Sequence, residues 1–376
     1  MKIAYFMPFK PLGHPRPSGD LMIGTELFEY LAHRGHDIRL ASRRRCRWVF
    51  WKPWLWPVLA TEAARILHRS RKWSPDLWLS YHSYYKAPDL LGPACSRIMG
   101  VPYVIFQGVF STKQQRRAVA RPGFYLNRRS LMSADAVITN KNRDHLNLRR
   151  LIPPDRLHYV RPGIRLNSFA PDLEARAELR TQWQAGLKPV ILTAAMFRPD
   201  VKTAGVLQVI DSCRTLQQEG VDYLLVIVGD GSEKDVIRSA AQQRIPGHFI
   251  MTGRVPRHRL PNLFSAADLF AFPGVNEGLG MVYLEAQACG LPVVALRNWG
   301  ASEAVIHMET GLLAPAENPD GFTDGIRVLA QHKALRETMG SAARRHIVRQ
   351  HDMNRNYEAV EHILKAARAS VPVRAR

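Results

Sequence analysis

Glu277 and Glu285 stand eight positions apart in Gly274-Val-Asn-Glu-Gly-Leu-Gly-Met-Val-Tyr-Leu-Glu-Ala-Gln-Ala-Cys-Gly290, on either side of a glycine-rich turn. Upstream, Ala267-Asp-Leu-Phe-Ala-Phe-Pro273 has the apolar run of a buried strand. Downstream, Met281 to Cys289 contains no helix breaker, and Gly290 with Pro292 closes it. The pattern places Gly278, Leu279, Gly280 and Met281 at the N-terminus of a helix. Amides there lack an intrahelical acceptor and the helix dipole adds positive potential, so the turn suits a phosphate, which glycines allow to approach closely. A carboxylate on each side of that anion suits hydroxyl groups, since it accepts several hydrogen bonds and can hold a vicinal diol. Together these groups predict a site for a phosphorylated sugar. A solvated helix face would explain an isolated pair of glutamates equally well, so the neighbouring motifs decide.

Those motifs continue the same theme. Leu291-Pro-Val-Val-Ala-Leu-Arg-Asn-Trp-Gly300 reads as a second buried strand running into a loop that ends in glycine, followed by Ser302-Glu303 and Thr310-Gly-Leu-Leu-Ala-Pro315. Earlier, Phe197-Arg-Pro-Asp-Val-Lys-Thr-Ala-Gly205 joins a strand to a helix and brings Arg198 and Lys202 to the strand's end. In this order the segments closely resemble the C-terminal nucleotide-sugar domain of family 4 glycosyltransferases, retaining enzymes of the GT-B type. The resemblance implies that Glu277 contacts the donor sugar, that Glu285 contacts the nucleotide ribose, and that Arg198 and Lys202 clamp the donor diphosphate. Arg198, Lys202 and Glu277 would then be the catalytic group. It also implies that Thr252-Gly-Arg-Val-Pro256 lines the base pocket through the backbone of Arg254 and Val255, and that Val228-Gly-Asp-Gly-Ser232 is the turn after the next strand. That turn reads equally well as a plain turn and helix cap. Ser18 and Gly19 stand where the family usually has paired glycines beside the diphosphate.

A departing diphosphate gathers negative charge, and the chain has no Asp-x-Asp pair to hold a metal against it. Neutralisation falls to Arg and Lys, so neither metal nor cofactor is expected, and the co-substrate is a UDP-sugar or GDP-sugar. Three positions depart from the family pattern. Arg198 and Lys202 are closer together than the family's pair, a serine replaces one glycine at Ser18, and Gln107 in Phe106-Gln-Gly-Val109 stands where many members have a histidine. Glutamine can orient a hydroxyl but cannot act as a general base. The retaining reaction proposed for the family accommodates this, because the leaving phosphate oxygen can itself take the acceptor's proton. His82, at the end of the strand before Ser83-Tyr-Tyr85, is the other acceptor-side candidate.

Strand and helix patterns alternate twice over, which predicts an α/β chain of two Rossmann-like domains. In the GT-B type they face each other across a cleft. Turn chemistry in Arg161-Pro-Gly-Ile-Arg-Leu-Asn-Ser-Phe-Ala-Pro171 sets the expected boundaries: an acceptor-binding domain at 1–168, a nucleotide-sugar domain at 169–353, and a C-terminal segment at 354–376 whose helix the GT-B resemblance returns to the first domain.

Charge separates the halves. Residues 1–170 hold 29 Lys and Arg against 10 Asp and Glu, a net +19 of the chain's +21. Within them, residues 43–57 pack five basic residues with Trp48, Trp51, Trp54 and Trp56, followed by Arg65, Arg69, Arg71 and Lys72. Tryptophan with basic residues favours a lipid headgroup region, each basic group contributing about 1 kcal/mol near an anionic surface. The expected partners are therefore a nucleotide-sugar donor, an anionic membrane surface and a lipid-linked or other saccharide acceptor. Nucleic acid is not expected, since it leaves the anion-and-diol motif unexplained. Cys46, Cys95, Cys213 and Cys289 have neither metal nor disulfide-framework spacing, and no apolar run approaches the roughly 18 residues of a membrane span. The expected location is cytoplasmic, peripheral on the inner face of the cell membrane. The same chemistry with a soluble acceptor is the alternative within the class; a nucleotide-sugar-binding protein without turnover, and an epimerase of the same architecture, are the alternatives from other classes.

Overall fold

The computed structural model describes residues 1–15, 18–275 and 277–370. Arg16 and Pro17 of the first glycine-containing loop, Asn276 of the acidic segment and residues 371–376 of the C-terminal segment lie outside the described residues. The chain forms two compact units: unit 1 takes Met1–Arg161 and the chain from Asn354 onward, unit 2 takes Pro162–Met353.

Unit 1 alternates β1 (Lys2–Phe6), α1 (Gly19–His33), β2 (Asp37–Ser42), α2 (Trp56–Trp73), β3 (Leu77–Tyr81), α3 (Gly92–Met99), β4 (Tyr103–Phe106), α4 (Arg121–Ser133), β5 (Ala136–Thr139), α5 (Asn142–Leu148) and β6 (Leu157–Tyr159). Its strands are all parallel, in the order β2-β1-β3-β4-β5-β6. Parallel strands covered on both faces must be apolar throughout, and β3, β4 and β5 are buried at every position.

Unit 2 runs α6 (Leu173–Gln182), β7 (Val190–Ala194), α7 (Val201–Gln218), β8 (Leu224–Val228), α8 (Lys234–Arg244), β9 (Phe249–Gly253), α9 (Leu260–Ala266), β10 (Leu269–Ala271), α10 (Met281–Ala288), β11 (Val293–Leu296), α11 (Trp299–Ala304), β12 (Gly311–Ala314), α12 (Pro319–Gln331) and α13 (Lys333–Gln350). The strand order is β12-β11-β10-β7-β8-β9, again all parallel. A last helix, α14 (Met353–Ser370), follows.

Each sheet reverses direction of growth once, between β1 and β3 in unit 1 and between β7 and β10 in unit 2. Loops at the carboxyl ends of two such strands diverge to opposite faces, leaving a crevice where ligands bind in open α/β sheets. The changeover of units falls at Pro162, earlier than the expected 168. Ile164 N–H donates to His351 O (2.8 Å) and Ile164 O accepts from Met353 N–H (3.0 Å), while a Cβ on Gly163 would lie 2.5 Å from Met353 Cα. These contacts, which local turn chemistry does not reveal, tie residues 162–168 to unit 2.

Candidate functional site

In unit 2 the two strands at the reversal point, β7 and β10, deliver the basic and acidic groups. After β7 the chain turns through Phe197 and Arg198, and Asp200 caps α7 by accepting Lys202 N–H (2.8 Å). Thr203 Oγ1 donates to Arg198 O (2.6 Å), fixing Lys202 in the first helical turn. Its ammonium donates to Glu277 Oε2 and lies 5.3 Å from the centre of the Phe272 ring. Arg198 is exposed and reaches only Met196 Sδ (3.2 Å), with no carboxylate partner among the described residues. The expected diphosphate clamp is therefore half assembled: Lys202 is in place beside Glu277, and the Arg198 guanidinium stands in solvent.

The turn Gly229 to Ser232 supports this loop. Phe197 N–H donates to Asp230 O (3.1 Å), and a Cβ on Gly229 or Gly231 would come within 2.0 Å of Ala195 O or 2.3 Å of Phe197 O. Both glycines have φ near +150°, so close approach and backbone conformation together require them. Backbone support accounts for the two glycines of this motif.

After β10, the loop to Glu277 is held from behind. Tyr283 Oη donates to Phe272 O (3.1 Å), and burial raises the phenol well above its ordinary pKa, keeping it a donor. Asn298 Nδ2 donates to Gly274 O (2.7 Å), and Glu277 N–H closes the turn onto Gly274 O (2.9 Å). Gly280, with φ +66°, starts α10, and no side chain caps the helix. The first-turn amides at Met281 and Val282 thus have no intrahelical acceptor. Gly278 and Leu279 complete the approach, and Gly300 lies so close that a Cβ there would meet Glu277 O at 2.6 Å.

Glu285, in the second turn of α10, is buried and accepts from Arg257 Nη2 (2.9 Å), whose guanidinium covers the Phe169 ring at 5.4 Å. Sequence reasoning missed Arg257. It follows the Arg254 and Val255 turn by two residues, but only the fold brings it to Glu285. Arg254 is exposed, Val255 half-buried against the core, and Gly253 ends β9 at φ +70°.

Unit 1 carries a second constellation at its own reversal point. Ser18 caps α1, its hydroxyl accepting Leu21 N–H (3.3 Å), and Gly19 opens the helix with nothing within 4 Å of where a Cβ would sit. Asp20 Oδ1 is 3.4 Å from His82 Nδ1, an ion-pair distance without the alignment of a hydrogen bond. Burial alone would raise the Asp20 carboxyl, but His82, Lys141 and Lys10 outweigh it and hold the group well below the usual carboxylate range. The His82 ring packs against Phe9 and Tyr84 at 5.5 and 4.8 Å. His82 and Gln107 follow the adjacent strands β3 and β4, and both adopt left-handed φ, 62° and 61°. Gln107 Nε2 donates to Asn140 Oδ1 (3.3 Å), while its Oε1 is buried without a partner. Strained residues and orphaned polar atoms gather at functional sites. Asp20 and Lys141 were not anticipated; the position of Asp20 directly after Ser18 and Gly19 was the available signal.

Two six-stranded parallel α/β sheets of this kind make up the GT-B fold. Residues 176–346 match the family model described as Glycosyl transferases group 1. A GDP-mannose-dependent alpha-(1-6)-phosphatidylinositol monomannoside mannosyltransferase of Mycolicibacterium smegmatis is 34% identical over 51% of this chain and 52% of its own length. The chain thus spans about half the length of that relative. A D-inositol 3-phosphate glycosyltransferase of Jonesia denitrificans is 29% identical over 77% of this chain and 70% of its own. Among solved structures, Anabaena HepE in complex with UDP superposes with TM-score 0.77 at 19% identity, over 97% of this chain and all of that one, which establishes likeness of fold.

Proposed function

We propose that the protein is a retaining, metal-independent glycosyltransferase that moves a hexose from a UDP-sugar or GDP-sugar to a lipid-linked saccharide or glycolipid acceptor. The observation that carries this reading is Lys202 paired with Glu277 beside the uncapped start of α10, with Glu285 in the same helix. Lys202 and the α10 amides meet the charge that grows on the departing diphosphate, Glu277 takes donor-sugar hydroxyls, and Glu285 takes the ribose. The acceptor oxygen bonds to the anomeric carbon as the carbon–phosphate-oxygen bond breaks. The acceptor's proton passes to that phosphate oxygen on the same face of the sugar. Losing one donor to such developing charge costs roughly 10²–10³ in turnover.

Trp51, Trp54 and Trp56 are 50%, 68% and 50% exposed, among exposed Arg43, Arg44, Arg45, Arg47 and Lys52. No helix among the described residues is long and apolar enough to cross a membrane. These residues support peripheral contact of unit 1 with an anionic bilayer, where a lipid-linked acceptor resides, and a cytoplasmic location on its inner face. Trp48 is half-buried, its ring packing against Phe50 and Tyr85, and its backbone N–H donates to Lys86 O (2.8 Å).

A phosphorylated polyol in solution is the second acceptor reading. The Jonesia relative's name favours it, as do the Asp20 carboxylate and the Lys141 ammonium near one another in unit 1. The deciding experiment incubates the protein with a panel of UDP-, GDP- and ADP-sugars, with and without membrane lipid extract. Nucleotide release from one donor, stimulated by lipid and leaving sugar in the organic phase, is expected. Binding without turnover under every condition would favour a binding protein, and no donor binding would end the reading.

A further inference from the structure

A cavity of about 430 Å³ opens in unit 1 between the carboxyl end of β2 and α2, lined by Ser42, Arg43, Arg44, Glu62 and Arg69. Its charge is unbalanced. Glu62 is the one carboxylate in the lining, and it is engaged: Ser42 Oγ donates to it at 2.7 Å, and Arg65 Nη1 lies 3.7 Å away. Ser42 Oγ also accepts Arg44 N–H (3.0 Å), which fixes the backbone where the strand ends. Arg43, Arg44 and Arg69 make no ion pair among the described residues, and all three are exposed.

Three guanidinium groups around one cavity repel one another unless an anion joins them. A phosphate satisfies them best, because each guanidinium presents a planar fork that matches its oxygens, whereas a lone carboxylate has too few oxygens for three such groups. The helical wall repeats the theme. Glu62, Arg65, Arg69 and Lys72 fall on one stripe of α2 at spacings of three and four, and Val58, one turn before Glu62 on the same stripe, is exposed. Trp56 opens that helix and Trp54 lies in the turn just before it.

We propose that this cavity is a phosphate-binding site, separate from the phosphate site of unit 2, with Arg43, Arg44 and Arg69 as its ligands. Its phosphate belongs either to a phospholipid headgroup or to a soluble phosphorylated molecule. The site does not depend on the glycosyl-transfer reading; only the headgroup source rests on the proposed membrane contact.

Residue-level modification of the full chain tests it. Phenylglyoxal is applied with and without inorganic phosphate, and each arginine's modification rate is followed by peptide mass spectrometry. Phosphate is expected to slow modification of Arg43, Arg44 and Arg69 at least 5-fold and to leave exposed Arg116, Arg117 and Arg129 unchanged. Uniform or absent protection overturns the proposal. The source is read by sedimentation with vesicles of phosphatidylcholine and phosphatidylglycerol, comparing the triple variant Arg43→Gln, Arg44→Gln, Arg69→Gln with a charge-matched control, Arg116→Gln, Arg117→Gln, Arg129→Gln. A loss of vesicle binding at least 5-fold greater in the cavity variant assigns the headgroup. Equal losses together with phosphate protection assign the soluble ligand. Sugar transfer is assayed separately, so inactivity toward every donor would leave these results standing.

Discussion

Lys202 and Glu277 form an ion pair at the point where the strand order of unit 2 reverses, one supplied by the first turn of α7, which follows β7, and the other by the loop after β10. Asp20 and His82 occupy the same topological place in unit 1. Both side chains of the unit 2 pair keep some exposure, 27% and 19%, so the pair is reachable by a ligand. Lys202→Ala should lower turnover by about 10²–10³, with a change in unfolding midpoint too small to account for it. Glu277→Gln, which keeps the shape but weakens hydroxyl recognition, should lower turnover by a smaller factor. Steady-state transfer with the donor identified from the panel checks both. Wild-type turnover in both variants would mean that the nucleotide is misplaced.

Arg257 and Glu285 call for a different pattern of kinetics. The guanidinium bonds the buried carboxylate while lying over Phe169, so if Glu285 takes the ribose as proposed, Arg257 acts on it through Glu285. Arg257→Ala and Glu285→Ala are both expected to weaken nucleotide affinity about 10-fold or more, roughly the 1.5–3 kcal/mol of a charged hydrogen bond. Titration with UDP and GDP measures this without any acceptor. A large fall in kcat with unchanged nucleotide affinity would place Arg257 at the reacting centre instead.

Local pattern made some of this architecture readable and left some of it hidden. The apolar runs at 223–229 and 293–296 and the glycine-rich entry to α10 identify strands and an anion-facing helix, because periodicity and caps act over a few residues. Lys202 could be placed from Asp200, a cap two positions earlier. The pairing of Arg257 with Glu285, and of Asp20 with His82, depends on which strands become neighbours, which local pattern does not encode. The demand for glycine at Gly229 and Gly231 was hidden for the same reason: the atoms that impose it, Ala195 O and Phe197 O, come from a distant loop.

At Gln107, backbone geometry makes an inverted stability order testable. The left-handed φ of 61° costs a non-glycine residue roughly 1–2 kcal/mol, and alanine would carry that cost without the bond to Asn140. Gln107→Gly should therefore be more stable than Gln107→Ala by about 1 kcal/mol, the reverse of the usual ranking. Urea unfolding of the two variants gives the answer. If alanine is the more stable, the strand-end strain is not real. Both variants should transfer sugar more slowly than wild type if the amide orients the acceptor.

The exposed tryptophans separate membrane contact from fold stability. Trp51→Ser, Trp54→Ser and Trp56→Ser combined should leave the unfolding midpoint nearly unchanged, since half or more of each side chain is already in water. Binding to anionic vesicles at physiological salt should fall at least 10-fold, and the remaining binding should disappear as salt rises and screens the basic groups. Unchanged vesicle binding in the folded triple variant would remove the interfacial reading. Trp48→Ser is the informative contrast, because it removes packing against Phe50 and Tyr85 and should reduce stability.

Acid sensitivity of unit 1 should trace to Glu361 on α14. Its buried carboxylate meets Arg34 Nε at 3.1 Å and His36 Nε2 at 3.2 Å, with Lys365 one turn further along. Burial would raise its pKa, but Lys365, the hydrogen bond from Arg34 and the nearby His36 ring prevail and hold it at about 2, below the ordinary 4.5. A carboxylate depressed in the folded state stabilises the fold fully above its unfolded pKa. That contribution fades as pH falls from 4.5 toward 2. The shift corresponds to about 3 kcal/mol at neutral pH. Glu361→Gln, nearly the same in shape but unable to ionise, should therefore destabilise unit 1 at pH 7, and its deficit against wild type should shrink as pH drops below 4.5. Urea unfolding across that range measures the difference directly; a deficit independent of pH would show that the amide disturbs packing and that the charge of Glu361 contributes little.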